Sequence, residues 1–325
     1  MYHFLTQKHI REINVYCHKI KSQSIINISH TLFSGQTFLW DIHHDMQPYY
    51  LSIIKSVPVI IKKISEYEFE ITSTEKQIGG VPLSDFIQHY FTLDIDIKRA
   101  FPENFSQLYP KLWQLLMPYF SLRIIRQDPY ETMISFMCAQ GIGMQLIRRQ
   151  VAMLRQTYGE KRSVSLHGKE IILHHFPSPE RLAAADPTLL SRCTNNNRVR
   201  ASNIILAAQG VAEGIIDLDA LGNPTLPLSE LRNILCQNGG IGYKIADCIA
   251  LFGLGRFDAF PIDTHVKQYL AEWFNSSTAL RPLSPANYLA LDREARTVLN
   301  PELAGYAGHL LFHCWRREIK ELRTF

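Results

Sequence analysis

Residues 235–270 read LCQNGGIGYKIADCIALFGLGRFDAFPIDTHVKQYL. The stretch sets Lys244 behind a glycine turn, Gly239-Gly240-Ile241-Gly242, and Asp263 just beyond Pro261. Between them IADCIALFGLG is almost wholly apolar with helical spacing and runs out in glycines, which predicts a buried helix stopping near Gly253 to Gly255. A lysine that begins such a helix is directed towards the interior. The turn before it frees backbone N–H groups beside a helix N-terminus, a place that attracts a phosphate or another anion. Pro261 stops what precedes it, and Asp263 or Thr264 is placed to cap the next helix. Alone, Asp263 reads as a plain N-cap and Lys244 as a surface lysine. Together with the glycines and the proline, the pair reads as a site.

The 325 residues are 46% hydrophobic and 20% charged, enough for a large core and two or three domains. No apolar run reaches the length of a membrane span, and the opening MYHFLTQKHIREINV is too polar for a secretory signal, so the expectation is a cytoplasmic, nucleoid-associated protein with no membrane partner. The six cysteines (Cys17, Cys138, Cys193, Cys236, Cys248 and Cys314) form no CxxC and no tight cluster. That spacing argues against structural zinc or an iron–sulfur cluster and for free thiols. A net charge of +4 and a pI near 8.6 permit nucleic-acid binding without requiring it.

Between residues 25 and 74, short alternating runs such as YYLSIIKSVPVIIKKI and YEFEITS predict an antiparallel sheet. Within it, TLFSGQTFLW places Ser34-Gly35-Gln36 among Phe33, Phe38 and Trp40; taken alone it reads as a hairpin turn. From Leu83 onwards helical periodicity takes over. Asp128-Pro129 is a strong helix start, and a helical pair follows to Gly159, broken at Gly141-Ile142-Gly143. Two more helices flank an asparagine-rich loop ending at Asn197, and AGYAGHLLFHCWRRE closes the chain as a helix. The fold class is α+β: an N-terminal antiparallel β domain over 1–82, then a mostly helical body over 83–325.

GIGYKIADC followed by FPIDTH resembles the helix-hairpin-helix (HhH-GPD) DNA glycosylases, above all the 8-oxoguanine DNA glycosylase/AP lyase branch. The SGQ-F-x-W segment, YFTLDIDIKRAF and the terminal Y-A-G helix are similar to that branch too. The resemblance implies a TBP-like sheet domain and a two-lobed helical body with its hairpin at about 230–252. It also implies removal of 8-oxoguanine from duplex DNA, with strand cleavage through a lysine Schiff base. On it, Lys244 is the nucleophile and Asp263 the stabilising carboxylate. Gly35, whose carbonyl would meet the N7 hydrogen of the oxidised base, forms the base pocket with Phe136, Cys248 and Trp315. Gln140 would fill the gap left by the extruded base, with Asn197 and Arg198 as a second wedge. Gly240, Gly242 and His265 would hold phosphates. The carbonyls of Cys236, Asn238 and Ile241 would hold a monovalent cation, K+ or Na+, with no cofactor required. The partner is double-stranded DNA containing a damaged base, bound by a monomer.

The sequence departs from the family at two places: Leu146 stands where an arginine reads the opposite cytosine, and Leu311 where a glutamine reads the base. The four-cysteine cluster of the endonuclease-like branch is missing, since only Cys314 lies near the C-terminus. Two other readings compete. An alkylated-base glycosylase shares the aspartate but lacks the lysine, and a non-catalytic helix-hairpin-helix module explains the glycines but neither Gly35 nor the setting of Asp263.

Overall fold

The computed structural model describes residues 16–44, 48–166 and 169–319. The polar N-terminal stretch read above, residues 1–15, lies outside the described residues. Strands β1 (Tyr16–Lys21), β2 (Asp41–His44), β3 (Pro48–Ile54), β4 (Val57–Lys63) and β5 (Glu68–Ser73) form one antiparallel sheet in the order β1-β5-β4-β3-β2. Tyr50 pairs with Ile61 and Ile61 with Ile71, so β4 is central and apolar on both sides.

Both faces of this sheet are covered. Tyr50, Ile54, Val59, Ile61, Phe69 and Ile71 pack with Ile28 and Leu32 of helix Ile28–Phe33 and with Leu83, Ile87 and Phe91 in and beyond helix Leu83–Tyr90. On the opposite face Tyr49, Leu51, Ile53 and Ile60 pack against Val164 and Leu173. These last two belong to a hairpin, Lys161–Leu166 paired with Lys169–His174, that the helical reading of the body did not anticipate. Its alternating run around His167-Gly168 carried the signal. Double coverage is why β3 and β4 are near-continuous apolar runs rather than strict alternations.

The helical body is built around helix Pro129–Cys138, which is buried from Tyr130 except at Glu131 and therefore apolar on nearly every side. Asp128 caps it by accepting the Glu131 amide at 3.0 Å, with Pro129 at the first helical position, as the sequence predicts. After the break, helix Met144–Tyr158 runs on to the covering hairpin. Helices Leu228–Cys236 and Tyr243–Cys248 form the predicted hairpin, and the second widens into a π-helical turn over Ile249–Gly253. The last helix, Ala304–Glu318, joins the body to the sheet layer: the Tyr306 hydroxyl accepts the Ile124 amide at 3.1 Å and lies 3.1 Å from the Thr92 hydroxyl.

Candidate active site

The hairpin turn is tied by its own backbone. The Ile241 amide donates to Asn238 O at 3.1 Å, and the Asn238 side chain donates to Ile234 O and Leu235 O at 3.3 and 3.2 Å. Gly240 takes φ +82°, and a Cβ there would stand 2.9 Å from the Asn203 amide, so only glycine suits both the turn and its neighbour. Gly242 caps the helix that carries Lys244, with no side-chain cap. The Lys244 side chain is directed inward, its Nζ 5.4 Å from the centre of the Phe136 ring. One turn on, burial pushes the Cys248 thiol up to about 12 despite Lys244 beside it, so it stays protonated at neutral pH.

Asp263 caps helix Thr264–Phe274, accepting the Val266 amide at 2.9 Å. The plain N-cap reading is thus true of this residue. Asp263 and Lys244 line one cavity of about 770 Å³, within the range of small-ligand sites. Gly35, Phe136, Gln140, Gly242, His265 and Phe312 face the same space. A recess of about 60 Å³ shares Gly35, Phe136, Lys244, Asp263 and Phe312 with it and adds Cys248, Phe252 and His309.

Gly35 does not sit in a β-hairpin turn. It follows helix Ile28–Phe33, whose cap Asn27 accepts the His30 amide at 2.9 Å, and it takes φ +99°. The turn is gripped on both sides. The buried Gln36 carboxamide donates to Thr31 O at 2.7 Å and Arg123 O at 2.8 Å and accepts from the Ile125 amide at 2.9 Å. A Cβ on Gly35 would fall 2.5 Å from Met144 Sδ, at the wall of the cavity. Phe136 is held between Phe252, stacked at 5.5 Å, and Phe38, edge-on at 5.7 Å.

Gln140 reaches the cavity from the break after Cys138, with its side chain donating to Gly240 O and its own carbonyl accepting from Arg200 at 2.6 Å. Break and hairpin are therefore joined. His265 lines the cavity edge-on to Phe312 at 5.8 Å, its buried Nδ1 without a partner among the described residues. Asn197 caps helix Arg198–Ala212 through the Arg200 amide at 2.9 Å, and it and Arg198 are exposed, away from the cavity. Cys236, Asn238 and Ile241 lie along the hairpin turn, with the Asn238 carbonyl already accepting the Ile241 amide.

Trp315 is a correction. It is 3% exposed and packs edge-on against Trp273 at 5.0 Å in the helical core, so it cannot stack on anything in the cavity. Leu311, expected where an amide would read a base, is fully buried in the same core. The face of the last helix turned to the cavity is Gly308, His309, Phe312 and Arg316. The family resemblance points past it, to Trp315. Spacing by helical turns from the small residues Gly305 and Gly308, which let the helix approach closely, leads to Phe312. His309 adds a polar ring to the recess: its Nε2 lies 2.8 Å from Ser34 Oγ, and burial lowers its pKa to about 3, so it is neutral.

Behind the site lies a buried charge network. Arg232 grips Asp247 with two bonds, at 2.7 and 3.0 Å, and reaches Asp292 at 3.2 Å, which Arg296 also holds at 3.0 Å. Burial pushes the Asp247 carboxyl up, to about 6, against the pull of Arg232. Among the described residues no helix is long and apolar enough to cross a membrane, and no cluster of His, Cys, Asp and Glu is arranged to hold a metal.

Residues 19–133 match the family model described as the 8-oxoguanine DNA glycosylase N-terminal domain. The chain is 28% identical over 243 residues to the N-glycosylase/DNA lyase OGG1 of Arabidopsis thaliana, a match that spans 74% of this chain and 63% of that relative. The solved structure of MBOgg1 in complex with a low-affinity DNA ligand is similar with a TM-score of 0.74 and 28% identity, covering 94% of this chain and 98% of that one. The apo 8-oxoguanine glycosylase/lyase of Clostridium acetobutylicum shares the fold, with a TM-score of 0.70 at 23% identity over 91% of this chain and 95% of that one.

Proposed function

We propose, from the premise that this chain belongs to the helix-hairpin-helix superfamily of DNA glycosylases and within it to the 8-oxoguanine glycosylases, that it excises 8-oxoguanine from duplex DNA and cleaves the strand as an AP lyase. The observation that carries the reading is the shared cavity of Lys244 and Asp263, walled by Gly35, Phe136 and Phe312. An amine and a carboxylate facing one space suit glycosidic chemistry in which the base is extruded from the stack.

The Lys244 nitrogen forms a bond to C1′ through its lone pair while the bond from C1′ to the base breaks. The bonding pair leaves with the base, which takes up a proton. Asp263 faces the positive charge that develops on the sugar and stabilises it. The nitrogen lone pair then forms C1′=N as the C1′–O4′ bond breaks and O4′ takes up a proton; this Schiff base acidifies C2′, and loss of that proton expels the 3′ phosphate. Cys248 stays a neutral thiol in the wall and does not compete as a nucleophile. Phe312 offers a ring for the base to stack on, and Phe136, backed by Phe252, forms apolar wall beside it. Gly35 brings backbone to the base with no side chain between.

Gln140, tied to the hairpin at Gly240, fills the vacated place in the duplex, and Asn197 and Arg198 form the second wedge from their exposed loop. Gly240, Gly242 and His265 take phosphates; the place of His265 in the cavity lining beside Asp263 supports its assignment. The carbonyls of Cys236, Asn238 and Ile241 supply neutral oxygens of the kind that hold K+ or Na+, with the second lone pair of Asn238 O as the one open to the ion. The protein acts as a monomer in the cytoplasm, on nucleoid DNA.

Borohydride trapping tests the reading. With a duplex containing 8-oxoguanine and sodium borohydride, the protein becomes covalently joined to DNA. Lys244→Gln abolishes the adduct and retains DNA binding, whereas Asp263→Asn slows base release by roughly 10²–10³-fold. Release of methylated bases without an adduct, with 8-oxoguanine untouched, sinks the assignment in favour of an alkylated-base enzyme.

A further inference from the structure

The buried Tyr288 hydroxyl touches both halves of the catalytic pair's support. It donates to Asp247 Oδ2 at 2.6 Å and accepts the Ile262 amide at 3.1 Å. Asp247 lies three residues beyond Lys244 on the same helix, and Ile262 directly precedes Asp263. Tyr288 itself comes from a third element, helix Pro285–Val298, and its side chain lines the main cavity.

The single hydroxyl proton has two acceptors within reach, Asp247 and, at 3.3 Å, Phe260 O. The shorter contact, to a carboxylate, wins, because charge-assisted bonds are about twice as strong as neutral ones. Burial and the neighbouring Asp247 raise the Tyr288 phenol well above its ordinary range, so the proton stays in place at every working pH. Arg232 fixes Asp247 from the other side, leaving it one orientation. The chain of contacts therefore runs from Arg232 through Asp247 and the phenol to the backbone beside Asp263.

The geometry points to Tyr288 as a positioning residue whose hydroxyl sets the place of Asp263 relative to Lys244. This inference deepens the glycosylase reading and rests on it for its kinetic consequence. Removing the hydroxyl leaves the Ile262 amide without its acceptor and Asp247 Oδ2 with Arg232 alone, and the segment carrying Asp263 is released from the Lys244 helix.

The test is Tyr288→Phe in the full chain, with Arg296→Gln as the comparison, since Arg296 joins the same network through Asp292 without touching the hydroxyl. Two readouts are taken. Hydrogen exchange follows the Ile262 amide, which in Tyr288→Phe exchanges about tenfold faster for the loss of one hydrogen bond. Single-turnover release of 8-oxoguanine falls about tenfold to hundredfold, as misplacement of reacting groups does, with duplex affinity held within about twofold. Arg296→Gln lowers Tm and leaves both readouts at wild-type values. Unchanged Ile262 exchange in Tyr288→Phe overturns the inference, as does a rate loss in both variants that simply follows Tm. If wild type releases no 8-oxoguanine, the glycosylase reading fails, and the exchange result alone decides whether Tyr288 holds the Asp263 segment.

Discussion

The His309 imidazole lies 2.8 Å from the Ser34 hydroxyl, and this contact joins the last helix to the turn that carries Gly35. Ser34 Oγ is also within 3.2 Å of Thr31 O, so the hydroxyl proton has a carbonyl acceptor and Oγ is free to accept from Nε2–H. A neutral ring completes that arrangement. A second ring, His313, sits one turn further along, packed 5.0 Å from His30 and 5.6 Å from Tyr119.

Acid stability follows from these rings. Burial lowers both His309 and His313 from 6.5 to about 3, with His313 beside His309, and His30, Arg317 and Arg316 beside His313, adding to the shift. Between those values the unfolded chain binds protons that the fold refuses, so their contribution is complete above 6.5 and is lost as pH falls towards 3. Melting temperature measured against pH should drop through this window. His313→Leu removes a ring whose Nε2 lacks a partner among the described residues and should flatten the acid limb; an unchanged limb would remove His313 from the account.

Phe312 and Trp315 should separate cleanly. Phe312→Ala opens the wall of the cavity and weakens lesion binding by roughly 1–3 kcal/mol of lost stacking. Trp315→Ala empties a core site against Trp273 and costs about 3–5 kcal/mol of folding stability. Denaturant melts and lesion-duplex titrations on both variants check this. Equal effects of the two on lesion binding would contradict the placement.

Gly35→Ala meets two obstacles of different weight. The Met144 thioether is the end of a flexible side chain and can swing aside, whereas φ +99° penalises any Cβ by about 1–3 kcal/mol. Loss of 8-oxoguanine release in Gly35→Ala should therefore persist in the Gly35→Ala, Met144→Ala double variant. Full recovery in the double variant would make the contact, not the backbone, the decisive effect.

Arg232→Met should be among the most damaging substitutions outside the cavity. It leaves Asp247 and Asp292 buried without their shared cation, a loss of about 3–5 kcal/mol. Asp94→Asn breaks an ion pair whose carboxylate is 54% exposed and should cost less than about 1 kcal/mol. Urea unfolding of both variants tests the contrast, and similar midpoints would refute it.

Much of the site was legible because its signals are local. The glycine turn, the apolar run behind Lys244 and the proline before Asp263 each dictate backbone conformation over a few residues, and the structure has the hairpin, the helix and the cap where they predict them. Asp128-Pro129 worked for the same reason. The hairpin over residues 161–174 was overlooked because its purpose is remote: it covers the far face of a sheet that ends about ninety residues earlier.

By itself, then, the chain determined its α+β class, the hairpin, and the placement of Lys244 and Asp263 at the starts of two helices, since periodicity, turn chemistry and capping act between near neighbours. Only the tertiary structure decided which face of the last helix meets Lys244. Trp315 and Phe312 are three residues apart and equally aromatic, and it is the packing of Trp315 against Trp273 that leaves Phe312 to the cavity. The bridge through Tyr288 is decided the same way: its hydroxyl joins Asp247 and Ile262 across 41 and 26 residues of chain, a relationship that folding creates and no local pattern records.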